Sequence, residues 1–306
     1  MNEIINKLND LENQVLTNIS NSKAINTLRA YKSDFKDFQN FCDKYKFSSL
    51  PTNPKIIGMY LTYLSSMSKY STLKRRLASI NVIHKFKGHY LDCKHPLIKE
   101  NLIGIKRKIG IFQKGKKPLL YNNLIKIINF INKNIVNKNE QLQRDKTVIL
   151  LGFAGGFRRS ELASLNLEDI EFVNEGMKIT VQKSKTDQYG EGLIKAIPYF
   201  SETNYCPVIA LKEWLKIRTT AGAKTLFKCS DKTISLIIKK YTSLVGLDSK
   251  QYSGHSLRSG FATTTAGLGA DERSIMNMTG HKSTEMVRRY IKDSNLFKNN
   301  ALNTIK

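Results

Sequence analysis

Cysteine is scarce in this 306-residue chain, and what there is lies scattered. Cys42, Cys93, Cys206 and Cys229 form no CxxC pair, which argues against both a disulfide framework and a zinc site and suits a reducing cytoplasm. Long hydrophobic runs are missing too. The longest, Val148 to Phe157, reaches half of the roughly 20 residues a spanning helix needs, so no membrane role is expected. The first residues, MNEIINKLNDLENQ, are polar and acidic where a secretory signal is basic and then apolar. No internal repeat appears, and no carboxylate cluster with metal-ligand spacing accompanies the histidines. Acidic residues are the remaining shortage: 25 Asp and Glu face 50 Lys and Arg, a formal charge of +25. Such an excess points to a polyanionic partner, although the many Asn and Ile residues make a general lysine-rich composition a rival explanation.

What is present reads as a mainly α chain, long enough for two domains. Ile4, Leu8, Leu11, Val15 and Ile19 recur at helical spacing, which predicts an amphipathic arm over 1–21. Leu28, Tyr31, Phe35, Phe38, Cys42 and Tyr45 form the inner stripe of the next helix. Asn53-Pro54 opens another, and Ser71 is expected to cap a fourth with Leu73, Leu77, Ile80 and Ile83 inward. Lys74, Arg75, Arg76 and Lys85 are expected to face solvent on it. A fifth follows Pro96 and ends in Lys106, Arg107 and Lys108. Residues 110–118, GIFQKGKKP, have no period and read as a flexible basic linker. Helices are expected over 119–134, 141–154, 206–219 and 233–245, with Trp214 in the core. Between them, alternation over 178–183 and 193–198 predicts a β-hairpin.

The most informative stretch runs from Ser253 to Asp293. His255 and Arg258 are three apart, so at the start of a helix they share one face that can grip an anion. Gly267 and Gly269 break that helix. Asp271 opens a second, which Gly280 ends directly before His281. Ser283 or Thr284 caps a third, which carries Tyr290. Each feature alone is ordinary: a surface pair, a helix stop, a core tyrosine.

Together, HSLRS followed by TGHKSTEMVRRY resembles the second half of the active site of the tyrosine recombinases, the phage-integrase-like DNA recombinases, with the tyrosine nine residues after the second histidine. Upstream, GGFRRSELASLNLEDI at 155–170 resembles that family's first arginine box. The resemblance covers about residues 22–293. It implies Arg158 and Arg258 as the arginines that hold a DNA phosphate, with Arg159 as a rival in register, and Glu161 as the orienting acid. It further implies His255 and His281 as hydrogen-bonding groups, Tyr290 as nucleophile, and the lysine of Lys185-Thr186 as the catalytic lysine, with Lys183 the alternative. Should Tyr290 not be the nucleophile, Tyr252 and Tyr189 are the nearest substitutes.

The implied architecture is a two-domain clamp. A helical core-binding domain over 22–109 bears basic faces (Lys74, Arg75, Arg76, Lys106, Arg107, Lys108) for DNA. After the linker comes a mixed α+β catalytic domain over 119–293 and a tail over 294–306 that docks on a neighbouring protomer. Implied partners are duplex DNA with inverted-repeat sites and three further copies in a tetramer, in the cytoplasm with the nucleoid. No cofactor and no metal are implied. A type IB-like topoisomerase shares the nucleophile and arginines. A silent DNA-binding relative shares the fold, but the full set of polar side chains argues against it.

Overall fold

Apolar residues three and four apart give most helices a stripe to bury, while the helix Glu140–Ala154 is buried nearly all round, and two large cores and one small cluster take them up. The computed structural model describes residues 14, 17–18, 23–111, 115–135, 139–182, 192–219, 222, 224–295 and 301–305. It divides into two units, Met1–Lys114 and Gly115–Lys306. Apart from Gln14, Thr17 and Asn18, the arm expected over 1–21 lies outside the described residues.

Among the described residues the first unit has the helices α1 (Ile25–Lys44), α2 (Pro54–Ser65), α3 (Tyr70–Phe86) and α4 (Pro96–Ile109). Phe38, Cys42, Ile57, Tyr60, Leu61, Leu73, Ile80 and Ile98 are fully buried between them. Asn53 caps α2, its Oδ1 accepting from the amide of Ile56 at 3.1 Å. α3 departs from the expectation. Its cap position is Lys69, without a side-chain bond, and Ser71 lies inside the helix. Tyr70, the first residue of the helix, packs against the core.

The two arginines of α3 form ion pairs: Arg75 stays exposed, as expected, while Arg76 is drawn partly inward. Arg75 donates to Asp34 at 2.5 Å, and Ser79 donates to the same carboxylate at 2.8 Å. Arg76 pairs with Asp37, which also accepts from the Tyr60 hydroxyl at 2.7 Å. These pairs tie α3 to α1 and α2. Lys74, Lys106, Arg107 and Lys108 remain exposed.

The second unit opens with α5 (Tyr121–Asn134) and α6 (Glu140–Ala154), followed by the short α7 (Arg159–Ser164). Next comes an antiparallel sheet in the order β1 (Ile170–Val173), β2 (Gly176–Val181), β3 (Leu193–Pro198). Then follow α8 (Pro207–Ile217), α9 (Asp231–Leu244), α10 (His255–Gly267), α11 (Glu272–Thr279) and α12 (Thr284–Asn295). The sheet thus has one strand more than the expected hairpin. β1 buries neither face fully, so its four residues carry no alternation to read. The segment read as a linker already pairs with this unit at its end: Lys117 donates to the carbonyl of Gln251 and Leu119 to that of Ser256, both at 2.8 Å. Among the described residues no helix is long and apolar enough to cross a membrane.

In the first unit, buried His84 bridges two elements. Its Nδ1 lies 2.9 Å from the carbonyl of Ile80, and its Nε2 accepts from the amide of Thr52 at 3.2 Å. Burial holds its pKa below the ordinary 6.5, so the folded state binds fewer protons than the unfolded one as pH falls through that value. Stability conferred by neutral His84 is therefore present above about pH 6.5 and lost below it. Urea unfolding followed by tyrosine dichroism should show a larger loss of stability between pH 7.5 and pH 5.5 in the wild type than in His84→Gln.

Candidate active site

Arg158 stands at the N-cap of α7, where its extended backbone (φ −72°, ψ 150°) leaves the side chain free to turn inward. Its amide donates to Glu161 Oε2 at 3.0 Å, and its guanidinium to Glu161 Oε1 at 2.5 Å and to the carbonyl of Gly280 at 3.2 Å. Glu161 is 2% exposed, so its charge faces this arginine from inside the protein. The neighbouring Arg159 points the other way, reaching Ser235 Oγ at 2.9 Å on α9. Just upstream, Gly156 has φ +54°, and a Cβ there would sit 3.1 Å from both the Phe261 ring and the Thr279 methyl.

Arg258 enters from the first turn of α10 and is 1% exposed. One amino group donates to the carbonyls of Gly156, at 2.9 Å, and Thr279. The other is buried with no partner among the described residues. Burial first, and then the like charge of Arg158, brings its pKa down to about 10, so it stays charged at neutral pH. A buried cation with an unused donor is poised to receive an anion.

Three rings complete the cluster. α11 ends at Gly280 in the left-handed conformation (φ +63°), which turns the chain and buries His281 to 8% exposure. Thr279 Oγ1 lies 2.7 Å from His281 Nδ1. Burial, then Arg258 and Arg158, push the His281 pKa down to about 4, which makes the ring neutral in physiological conditions. His255 keeps an exposed edge, yet desolvation, then Arg258, Arg158 and Arg159, also lower its pKa. Tyr290, on α12 beside the small cluster of Ala262, Ala266, Ile275 and Val287, brings its hydroxyl to 3.5 Å from His255 Nε2. Its ring centroid is 6.1 Å from that of His281.

Two arginines, two histidines and a tyrosine thus face one another, an arrangement suited to in-line attack of a phenolic oxygen on a phosphodiester. Residues 119–296 match the phage integrase family. Over 301 residues, 93% of this chain and 86% of the relative, the sequence is 40% identical to an integrase/recombinase XerD homolog of Selenomonas ruminantium. The chain is a tyrosine recombinase of the phage integrase family. It is also 28% identical over 280 residues to the tyrosine recombinase XerC of Thermodesulfovibrio yellowstonii, covering 86% of this chain and 84% of that protein.

Solved structures share the recombinase fold at lower identity. One is the XerH site-specific recombinase bound to a palindromic difH substrate in a post-cleavage complex (TM-score 0.61, 18% identity, 80% of this chain and 70% of that one). Another is a lambda integrase dimer bound to a COC′ core site (TM-score 0.58, 18% identity, 93% and 76%). Members of the family cut and rejoin DNA, and this recombinase is an enzyme of that kind.

Of the residues singled out in the sequence, Arg158, Glu161, Arg258, His255, His281 and Tyr290 come together in the recombinase's second unit. Of the substitutes, Tyr252 is 6% exposed, whereas Lys183, Lys185, Thr186 and Tyr189 lie outside the described residues. In the first unit, Lys74 and Lys106 line a groove of about 640 Å³ with Ser65, Ser66, Ser68 and Ser71, whose hydroxyls and ammonium groups suit phosphate oxygens. Arg75 and Arg76 are held in their ion pairs. In the tail, Leu296 and Phe297 are outside the described residues, while Leu302 and Ile305 are 66% and 78% exposed.

The sequence reading passed over Lys195, which is 1% exposed on β3. Its ammonium donates to the carbonyl of Gly155 at 2.8 Å and to that of Met278, bracing the arginine turn against the end of α11. It also lies 4.8 Å from the centre of the Phe157 ring. Burial, against the pull of Glu161 and with the push of Arg258 and Arg158, brings its pKa from 10.5 to about 7. An unfolded lysine holds its proton across that interval, so this residue's contribution to stability falls as pH drops from about 10 towards 7, where the unfolded state binds the extra proton, and rises with pH between those values. Comparing wild type with Lys195→Met by urea denaturation at pH 7 and pH 9.5 should show the difference shifting in favour of wild type at the higher pH.

Proposed function

We propose that the protein is a site-specific recombinase that cuts and rejoins duplex DNA through a 3′-phosphotyrosine formed at Tyr290. One observation carries this reading: the hydroxyl of Tyr290 lies beside His255, next to a buried Arg258 whose second amino group has no partner among the described residues. The protein's similarity to the XerD homolog and to XerC, and its shared fold with XerH and lambda integrase bound to DNA, support it.

The Tyr290 oxygen attacks the scissile phosphorus, and its proton passes to His255 Nε2. A phenol of ordinary pKa, about 10, is a weak nucleophile, and the cationic surroundings favour its anion. Arg158 and Arg258 take up the extra negative charge on the non-bridging oxygens with permanently charged planar forks, and His281 hydrogen-bonds to one of the same oxygens. The bond from phosphorus to the 5′-oxygen breaks, and Lys185, or Lys183 in its place, supplies the proton to the leaving oxygen. The phosphodiester energy is kept in the phosphotyrosine, so the 5′-hydroxyl of a partner strand reverses the step without ATP. The side-chain cations supply the charge compensation that metal ions supply in two-metal nucleases.

Residues 22–109 act as the core-binding domain, with Lys74, Lys106, Arg107 and Lys108 on DNA phosphates. Residues 110–118 act as the linker and 119–293 as the catalytic domain. The arm over 1–21 and the tail over 294–306 serve protomer contacts in a tetramer on inverted-repeat sites.

A nicked duplex carrying a site selected from a random library tests the chemistry. Wild type should be trapped covalently, Tyr290→Phe should bind but not be trapped, and Arg158→Ala or Arg258→Ala should lose about 10²–10³ in trapping rate. Trapping that survives Tyr290→Phe would remove the proposed nucleophile. Relaxation of supercoils without pairing of sites would instead mark a topoisomerase. In a separate titration the affinity should fall steeply with added salt, as counterion release requires.

A further inference from the structure

Thr279 sits between the two halves of the site and is fully buried. Its carbonyl accepts from Arg258, and its hydroxyl lies 2.7 Å from His281 Nδ1. The same hydroxyl is 2.6 Å from the carbonyl of Ile275, four residues back along α11. A hydroxyl has one proton and two lone pairs, and a threonine near a helix end commonly donates to the carbonyl four residues earlier. At 2.6 Å that acceptor takes the proton. Towards His281 the oxygen can then only accept, so Nδ1 must carry a hydrogen.

We infer that Thr279 is a positioning residue that locks His281 in its Nδ1–H tautomer and leaves Nε2, the edge Thr279 does not hold, as a lone-pair acceptor. In a histidine, the bond made by one nitrogen decides the state of the other. The surroundings favour the same form. Arg258 and His255 face the ring from α10, Arg158 from the start of α7, Lys195 from β3 and Tyr290 from α12. A cationic environment opposes a second ring proton and favours a lone pair on the free edge. His281 therefore donates to a phosphate oxygen only after Nε2 has taken up a proton from solvent, which an arriving phosphate anion promotes by its charge.

The consequence for catalysis rests on the proposed cleavage reaction, whereas the tautomer does not. Nitrogen-15 spectra of the DNA-free protein, with His281 assigned by comparison with His281→Gln, report the tautomer directly. The expected result is a protonated Nδ1 and a bare Nε2. In Thr279→Val, which keeps the methyl packed on Gly156, the ring should become a tautomer mixture and single-turnover cleavage should drop about tenfold or more, the usual scale for loss of a ring-orienting partner. DNA affinity should be unchanged. Thr279→Ser, which keeps the hydroxyl, should restore both spectrum and rate.

A wild-type ring protonated on Nε2 would overturn the inference even if the valine variant failed to fold. So would a valine variant with unaltered spectrum and rate, or a serine variant that rescues neither. The expected tautomer in a protein that never traps DNA would uphold the lock and sink the cleavage reading instead.

Discussion

The site depends on a buried guanidinium that is satisfied on one side only. Removing a charge from water costs several kcal/mol even after relaxation, and a second arginine nearby adds repulsion. Arg258 offsets this with two backbone carbonyls, from Gly156 and Thr279, and with the field of Glu161. These acceptors come from two separate turns, so the arginine is held in place only while both turns are held. Its remaining amino group has no acceptor among the described residues, so one side of a buried positive charge is left unmet.

Much of the second unit serves those two turns. Gly156 takes a left-handed conformation, and the Phe261 ring and the Thr279 methyl leave little room there for a Cβ. Gly280 ends α11 in the same conformation and turns its own carbonyl to Arg158. Lys195 clamps the residues just before each turn, Gly155 and Met278, from the sheet. Three polar side chains thus donate to backbone carbonyls of these two turns: Arg158 to Gly280, Arg258 to Gly156 and Thr279, and Lys195 to Gly155 and Met278. Burial first, and then the charges of Arg258 and Arg158, lowers the pKa of both histidines.

Legibility followed the range of the interaction. Asn53 before Pro54, Asp271 before α11 and Gly280 after it act within a few residues, and the structure has each where the local pattern puts it. Where a distant partner decides, the sequence misleads. Ser71 lies inside the helix, whose first residue, Tyr70, packs on the core. Arg75 and Arg76 look like free charges beside Lys74 until the helix carrying Asp34 and Asp37 is laid against them. β1 has too few residues and too little burial to show a period. Lys195 is the clearest case: pairing of Thr180 with Ile194 and of Ile179 with Lys195 turns the isoleucine of β3 outward, 66% exposed, and the lysine inward. A hydrophobic pattern read alone assigns those two faces the other way round.

By itself the sequence determined the helices, most of their ends, and the order and spacing of Arg158, His255, Arg258, His281 and Tyr290, because capping, turn chemistry and helical period are settled between near neighbours. Only the tertiary structure decided which arginine of the 158–159 pair turns inward, which carbonyls hold Arg258, that a lysine from the sheet supports both turns, and that a threonine faces the second histidine. Those outcomes rest on contacts between residues from 21 to 122 positions apart, along with one two-residue contact whose meaning depends on them. Burial makes every unmet hydrogen bond at such a seam costly, and that cost, which no local pattern carries, selects one arrangement of donors and acceptors.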